Sequence, residues 1–364
     1  MSLYCDYMKN EENCYYQPGI SNPFSNFNDP QESFNFIEDY FSAGSKRNVF
    51  TLDFERSFRK DGKHQHTVAL YYLGCKLFSL VDSTLRGFLK ENLCSIDWYD
   101  FKYIWFLSCL YHDTASSIEH TSYSKQELDF FLGANCITHN VFRHKPMLPY
   151  SQLFTFPEKL VENYFNYRID FHRSVDHGIL GGYLLFDRLK KNYDDAWRKR
   201  SRENHKNGNP EMCNEKYENF EYNNRNWQID HLDLFAIIAD SIIAHNIWFS
   251  DDSALYDHYG LTHLLISPAN KITLHDRPLL FFLSLLDTIE PVKCLTRRGY
   301  ELIPVDALKS VSVGIGPSDN LITITGCNTA IKYDKWFQNV KKAEDWLNIE
   351  VSILSARKCN ILIK

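Results

Sequence analysis

The sequence predicts a mainly α-helical fold with a small α+β domain at its C-terminal end. From about residue 60 to residue 295, apolar residues recur at steps of three and four, as in "HTVALYYLGCKLFSLVDSTLRGFLK", which is the spacing of amphipathic helices. After about residue 296 the pattern changes, and "ALKSVSVGIGPSDNLITITG" is typical of two strands joined by a turn. The chain has 26 Phe, 22 Tyr and 7 Trp, which favours a large, filled core and excludes global disorder.

The helices of the body are expected in the following order. Residues 1–59 form an irregular lead-in with one helix at "PQESFNFIEDYFSA", and residues 60–295 form the helical body. Its second helix is "DWYDFKYIWFLSCLYHD" with Asp97 as N-cap, and a later one is "DHGILGGYLLFDRLKK" with Asp176 as cap. Further helices are predicted at "PEKLVENYFNYRIDFH", "IDHLDLFAIIADSIIAHN" and "DRPLLFFLSLLDTIE".

Two segments outside these helices complete the prediction. A polar, charged stretch at about 190–227 is expected to be a surface insertion that is partly helical. Residues 296–364 are expected to form the small α+β domain, with an amphipathic helix at "KYDKWFQNVKKAEDWL" and strands at "IEVSILSA" and "KCNILIK".

Charge and composition exclude several classes of protein. The formal net charge of -6 gives no overall basic field, so nucleic acid is not indicated as a partner, and the basic run "RKRSR" is read as a solvated face. No apolar run reaches the length of a membrane span, and the N-terminus lacks the basic start and apolar core of a secretory signal. A cytoplasmic protein without a membrane contact is therefore expected, and its oligomeric state is left open.

Polar residues that can bind metals stand at or near the ends of apolar helices. A buried carboxylate is costly unless its charge is paired, and two buried carboxylates repel each other. A divalent cation resolves this repulsion, and neutral imidazoles can fill its remaining positions. The residues in this pattern are His66, the pair His112 and Asp113, then His177, His245 and Asp287.

In order and in local context, this set resembles the HD-domain superfamily of metal-dependent phosphohydrolases. "HTVALYYL" resembles the first-histidine helix of that family, and "FLSCLYHD" resembles the helix that ends in the namesake pair. "DHGILGGYLL", "IIAHN" and "LLDTIEPVK" resemble the later segments. The resemblance covers roughly residues 60 to 295 and implies an HD-type helical bundle.

The resemblance also implies the metal ligands. His66, His112, Asp113 and Asp287 would bind one ion, and Asp113 would bridge to a second ion held by His177 and His245. His112 and Asp113 would thereby be the catalytic pair. The His-rich set favours a divalent transition metal over magnesium. One or two ions are expected, manganese or iron first, with magnesium, zinc and nickel as less favoured choices. His64, His172 and His120 are neighbouring alternatives, whereas Asp240 is expected to face elsewhere.

Departures from the family patterns leave the substrate open. No lysine follows the pair in "HDTASSIEH", no GYP element is present, and Asn246 stands where many relatives have a second histidine. The acidic pair of the guanosine-polyphosphate hydrolases is also absent, and Glu119 is the nearest carboxylate. Arg173, Lys293 and Asn246 are weaker candidates for contacts with a substrate anion.

The predicted function is the hydrolysis of a phosphoester or phosphoanhydride in a small, phosphorylated, nucleotide-like substrate by a metal-activated water. Two alternatives remain at this point. One is a di-iron oxygenase, since such enzymes use the same ligand order to activate dioxygen. The other is a regulatory or ligand-binding protein whose metal site has lost turnover.

Overall fold

A computed structural model describes residues 1–9, 22–43, 63–93, 100–119, 126–127, 148–208, 220–222, 225–227, 230–296, 302–316 and 320–364. The described chain is mostly helical and carries a four-stranded antiparallel sheet near its C-terminal end, which confirms the mainly α prediction.

Helices and strands are numbered here in chain order. The α-helices are α1 Leu3–Lys9, α2 Pro30–Ala43, α3 Lys63–Leu77, α4 Asp82–Asn92, α5 Phe101–His112, α6 Ser116–Glu119, α7 Glu158–His172, α8 His177–Lys206, α9 Asp230–Ala244, α10 Ser253–His258, α11 Pro278–Ile289, α12 Pro291–Leu295, α13 Pro304–Lys309 and α14 Asp334–Lys342. Short 3₁₀ segments lie at Pro23–Asn26, Phe78–Leu80, Leu148–Leu153, Thr262–Leu264, Pro268–Asn270 and Ala343–Asp345. The strands are β1 Phe220–Tyr222, β2 Arg225–Trp227, β3 Val311–Ile315, β4 Leu321–Gly326, β5 Ile349–Ser355 and β6 Lys358–Ile363.

The centre of the body consists of helices that are buried on almost every face. Helix α9 packs against α5, α8 and α11, and α3 packs against α5 and α11. Helices α5 and α11 are apolar over most of their surface, which is the composition of a helix inside a core rather than on its surface. Among the described residues no single helix is long and apolar enough to cross a membrane, and one bent pair, 63–80 with 82–92, passes by length and composition only.

Two aspartates cap the helices that carry the His-Asp pair and His177. The carboxylate of Asp100 accepts hydrogen bonds from the backbone N–H groups of Lys102 and Tyr103 at 3.0 and 3.3 Å. The N-cap of α5 is therefore Asp100, not the expected Asp97, which lies outside the described residues. Asp176 accepts from the N–H of Ile179 at 2.9 Å, which confirms it as the cap of α8.

Glycines at the start of α8 allow a close approach to α9. A Cβ on Gly178 would lie 2.8 Å from the Ile242 carbonyl oxygen and 3.0 Å from ring atoms of His245. A Cβ on Gly182 would lie 2.5 Å from the Ala239 carbonyl oxygen. Only glycine fits this separation, so the pair of helices can bring His177 next to the last turn of α9.

The described N-terminal residues are more ordered than the irregular lead-in that the sequence predicts for residues 1–59. Helix α2 confirms the predicted helix, and α1 is an additional one. The ring of Tyr7 on α1 lies 4.8 Å from Phe24 and 5.5 Å from Tyr72 of α3, measured between centroids. Aromatic packing of this kind stabilises a seven-residue helix that would not form alone.

The predicted insertion at about 190–227 begins inside a helix. Helix α8 has 30 residues and continues through that boundary to Lys206. Leu189, Tyr193 and Ala196 remain buried and extend its apolar face. The helical part of the prediction is therefore confirmed, and β1 and β2 follow as a short antiparallel pair.

The C-terminal domain has the expected strands and amphipathic helix. Its sheet has the strand order β3-β4-β6-β5 with antiparallel neighbours. Helix α14 covers one face with Trp336, Phe337 and Val340. The backbone of Ile272 in the helical body donates to the Trp346 carbonyl at 2.7 Å and accepts from the Asn348 N–H at 2.9 Å, so this domain is hydrogen-bonded to the body.

Candidate metal centre

The structure brings the six predicted ligands together where five helices begin or end. The tightest group contains the side chains of His66, His112 and Asp287, whose potential ligand atoms all lie within 4.8 Å of one another. The Nε2 atoms of the two histidines are 3.2 Å apart, and Asp287 Oδ1 lies 3.1 Å from Nε2 of His66 and 3.5 Å from Nε2 of His112.

Asp113 faces the first group, His66, His112 and Asp287, with one carboxylate oxygen. Its other oxygen faces a second group, which contains His177 and His245. Its Oδ2 lies 3.5 Å from Nε2 of His66 and 3.6 Å from Nε2 of His112. Its Oδ1 lies 3.2 Å from Nε2 of His177. The ring of His245 lies between the groups, 5.5 Å from the His112 ring and 5.3 Å from the His177 ring. Asp113 therefore has the geometry of a bridging carboxylate.

All four imidazoles have an acceptor at Nδ1. Carboxylates accept from His66 and His177, with Glu290 and Glu119 each 2.7 Å away. Backbone carbonyls accept from the other two: Cys109 from His112 at 2.7 Å and Ile242 from His245 at 2.6 Å. The four Nδ1 atoms therefore carry the protons, and in the neutral rings the four Nε2 atoms keep lone pairs. Histidines that bind metals are oriented in this way.

Some buried polar atoms of the centre have no hydrogen-bond partner, which is the condition that a bound cation would relieve. Within the described part of the chain, Nε2 of His177, Nε2 of His245 and Oδ1 of Asp287 are buried and have no hydrogen-bond partner. A buried acceptor without a hydrogen-bond donor lowers the stability of the folded protein. Two lone-pair nitrogens 3.2 Å apart, next to a carboxylate oxygen, match the donor set of a divalent transition metal. His66, His112 and Asp287 therefore fit one ion. Asp113, His177 and His245 lie beside them and form the second group.

Comparisons with known proteins do not identify a family. No family model, no curated protein and no solved structure matches the chain.

Two lysines neutralise the carboxylates of the centre. Lys63 Nζ lies 2.7 Å from Asp113 Oδ2, and Lys293 Nζ contacts Asp287 Oδ2. Burial alone would raise the pKa of both aspartates, yet both values are held well below the usual range. For Asp113 the charges of His112, Lys293 and Lys63 lower the pKa, and for Asp287 the charge of Lys293 is the largest lowering cause. Both carboxylates are therefore ionised at neutral pH.

The four histidines have different proton affinities. Burial lowers the pKa of His112, and it lowers that of His245 to about 3 together with the nearby charges of His177 and His112. Burial also opposes the charged form of His66 and His177, but the carboxylates bonded to them raise their pKa overall. A neutral imidazole is the form that binds metal, and His112 and His245 are held in it.

The centre is closed on one side and open on the other. The side chains of His112 and Asp113 are 0% and 1% exposed. Those of Asp287, Lys293 and Lys63 are 14%, 17% and 23% exposed. The side of the two lysines is therefore the more exposed side of the centre.

The three candidates for substrate contacts lie at different places. Lys293 is at the open side of the centre. The Asn246 amide donates to Asp176 at 2.8 Å, and its nitrogen lies 3.3 Å from Nδ1 of His177. Arg173 is exposed at the C-terminal end of α7, where its φ of 55° is left-handed. The arginine that reaches the centre is Arg168, whose guanidinium donates to Glu119.

The alternative residues lie away from the centre. His64 is on the same helix as His66 and faces the ring of Phe34, 6.4 Å between centroids. His172 is exposed and hydrogen-bonds to the hydroxyl of Tyr167 at 2.9 Å. His120 lies outside the described residues. Asp240 accepts from the backbone N–H and hydroxyl of Thr155, so it faces the 148–156 segment as expected.

Sequence reasoning missed the groups that hold the ligands. Lys63 lies three residues before His66 on α3, a spacing that puts both on one face and could have suggested it. Glu290 follows Asp287 by three residues and offered a similar signal. Arg168 offered none, because its contact with Glu119 joins α7 to α6 through tertiary packing.

Proposed function

We propose that this protein is a metal-dependent phosphohydrolase with an HD-type centre, and that it cleaves a phosphoester or phosphoanhydride of a small nucleotide-like substrate. The observation that carries the proposal is the convergence of four Nδ1-protonated imidazoles and two ionised carboxylates, divided into two groups that share Asp113. With the four imidazoles neutral, their Nε2 lone pairs face one another and the carboxylates without donors, and cations would satisfy them.

His66, His112, Asp113 and Asp287 would hold one divalent ion, and Asp113, His177 and His245 a second. Bound there, the ions would lower the pKa of a water and stabilise charge on a phosphoryl group.

The protein's own groups orient the ligands and attract the substrate. Glu290 and Glu119 keep the proton on Nδ1 of His66 and His177, so that the opposite nitrogen stays a lone-pair donor. Lys63 and Lys293 add two cations at the open side, where a phosphoryl group would enter. The closed apolar side behind His112 excludes bulk water from the remainder of the centre.

Metal content and phosphate release test the proposal. The chain is freed of metal with a chelator, reloaded with Mn²⁺ or Fe²⁺, and assayed by elemental analysis and by release of phosphate or nucleotide from a nucleotide panel. Asp113→Ala should lose both metal and turnover, because it removes the carboxylate common to both groups. Asp334→Ala, at an exposed aspartate of α14, is the matched control and should change neither.

Each other outcome counts against part of the proposal. Full metal content and turnover in Asp113→Ala would refute the ligand set. Iron loading with consumption of dioxygen and no phosphate release would replace the hydrolase by an oxygenase. Tight binding of one nucleotide with metal present and no product would replace it by a ligand-binding protein.

A further inference from the structure

The imidazole of His177 lies between two groups that favour opposite tautomers. Glu119 Oε2 is 2.7 Å from its Nδ1 and accepts a proton there. The Asn246 amide nitrogen is 3.3 Å from the same Nδ1 and can only donate. A donor at Nδ1 favours the ring with its proton on Nε2, which cannot bind a metal through Nε2. Nε2 of the same ring faces Asp113 Oδ1 at 3.2 Å, so Glu119 is the charged acceptor that keeps a proton on Nδ1 and leaves the Nε2 lone pair for an ion beside Asp113.

The orientation of the Asn246 amide is determined by its other contacts. Its nitrogen donates to Asp176 at 2.8 Å, and its oxygen accepts from the indole N–H of Trp248 at 3.3 Å. Turning the amide would place donor against donor at Trp248 and acceptor against acceptor at Asp176. The amide nitrogen therefore remains the group that Asn246 presents to His177.

The position of Glu119 depends on Arg168. This arginine is 3% exposed, donates to Glu119 Oε1, and lies 3.9 Å from Asp176 through its other terminal nitrogen. The ring of Trp248 covers its guanidinium at 4.0 Å. Glu119 is the last residue of the four-residue helix α6, and the contact with Arg168 holds its Oε1 while its Oε2 accepts from His177.

We propose that Glu119, held by Arg168, is a positioning residue that selects the Nδ1–H tautomer of His177 and thereby forms the second ion position. This inference rests on the proposed metal function. The first position does not depend on Glu119, because His66 has its own carboxylate, Glu290, which also accepts the backbone N–H groups of Val292 and Lys293 at 2.7 Å. The two positions should therefore be separable.

Variants of Glu119 test the separation. Glu119→Ala removes the acceptor and leaves the Asn246 amide as the neighbour of Nδ1, whereas Glu119→Gln keeps a neutral acceptor oxygen. Glu162→Ala, a partly exposed glutamate of α7 that pairs with Lys159, is the matched control. Mn²⁺ and Co²⁺ binding is measured by titration and elemental analysis. The tautomer is read in the metal-free protein from long-range nitrogen–proton NMR correlations of the imidazoles.

The wild type should bind two ions per chain. In Glu119→Ala the second ion should bind about 10- to 100-fold more weakly while the first keeps its affinity, the range found when an outer partner of a metal-bound histidine is removed. Glu119→Gln should recover part of this loss. In metal-free Glu119→Ala, Nδ1 of His177 should lose its proton, while Nε2, which faces Asp113 Oδ1 at 3.2 Å, should carry one. The control should behave as the wild type.

The remaining outcomes separate the two proposals. Unchanged affinity for both ions in Glu119→Ala, or an unchanged His177 tautomer, overturns the role of Glu119. Equal weakening of both ions with a lower melting temperature assigns Glu119 a structural role only, and also overturns it. A wild type that hydrolyses substrate with one ion at every metal concentration leaves the proposed function in place and removes the inference. A wild type that binds no ion removes the proposed function itself.

Discussion

Replacing Gly178 by alanine tests the close approach of α8 and α9. The added Cβ would lie 2.8 Å from the carbonyl oxygen of Ile242 and 3.0 Å from Cε1 and Nδ1 of His245. Ordinary contacts begin near 3.4 Å, so the last turn of α9 must move away by roughly 0.6 Å. Because a backbone oxygen is the nearest atom, the strain cannot be relieved by turning a side chain alone.

The expected change is a loss of stability despite the better helix propensity of alanine. Overpacking a core position costs about 1–3 kcal/mol. Alanine in place of glycine inside a helix returns up to about 1 kcal/mol. We therefore expect Gly178→Ala to lower the free energy of unfolding by up to about 2 kcal/mol and, since His245 is displaced, to weaken the binding of the second ion. Urea denaturation of the metal-free protein measures the first effect, and metal titration the second.

Gly87→Ala is the control for this variant. Gly87 also lies inside a helix, α4, but a Cβ there would meet nothing within 4 Å. It should raise the free energy of unfolding by about 0.5–1 kcal/mol, because only the propensity changes. If both variants stabilise the protein to the same extent, α8 and α9 are not as close as described, and the reasoning about Gly178 fails.

Two further predictions concern groups outside the centre. Burial raises the pKa of Asp240 to about 6, although hydrogen bonds from Thr155 lower it. The protonated carboxyl therefore contributes its full stability below pH 3.8, and this contribution is lost as the pH rises through 6. Urea titrations of the wild type and of Asp240→Asn give the difference between their free energies of unfolding. This difference, wild type minus variant, should fall by about 3 kcal/mol from pH 3 to pH 7, at 1.36 kcal/mol per pKa unit. A difference that does not change with pH contradicts this prediction. Gly74→Ala would place its Cβ 2.0 Å from the indole nitrogen of Trp105, which donates to the Tyr71 carbonyl at 3.0 Å. Stability should fall by about 3 kcal/mol and the near-ultraviolet dichroism should change, whereas an unaltered spectrum would show that the indole is not held there.

The ligands could be found from sequence because each is a polar residue where a long apolar run ends or begins. His112 and Asp113 after "YIWFLSCLY" are the clearest case, since no cationic residue stands in that run to pair with a carboxylate. The groups that orient the ligands could not be found in this way. Glu290 and His66 are 224 residues apart, and Glu119 and His177 are 58 apart, so these pairs exist only through tertiary packing.

The spacing of apolar residues predicted where the helices lie, but it predicted their first and last residues less well. The boundary expected at about 190 was drawn where charges become dense, but burial of Tyr193 and Ala196 continues the inward face of α8 beyond it. The expected cap Asp97 precedes the observed one, Asp100, by three residues, and both precede the same apolar run. Helix α1 gave no pattern of its own, because its stability comes from contacts with distant rings.

The long separation between His66 and Glu290 has a consequence for how the chain acquires its native state. Closing a loop of that size costs conformational entropy before the contact is made, so we expect the two side chains to meet late in folding. Truncated fragments that contain some of the helices should have no such pocket. An ion that binds only the finished arrangement would then stabilise the whole body cooperatively rather than any one part of it.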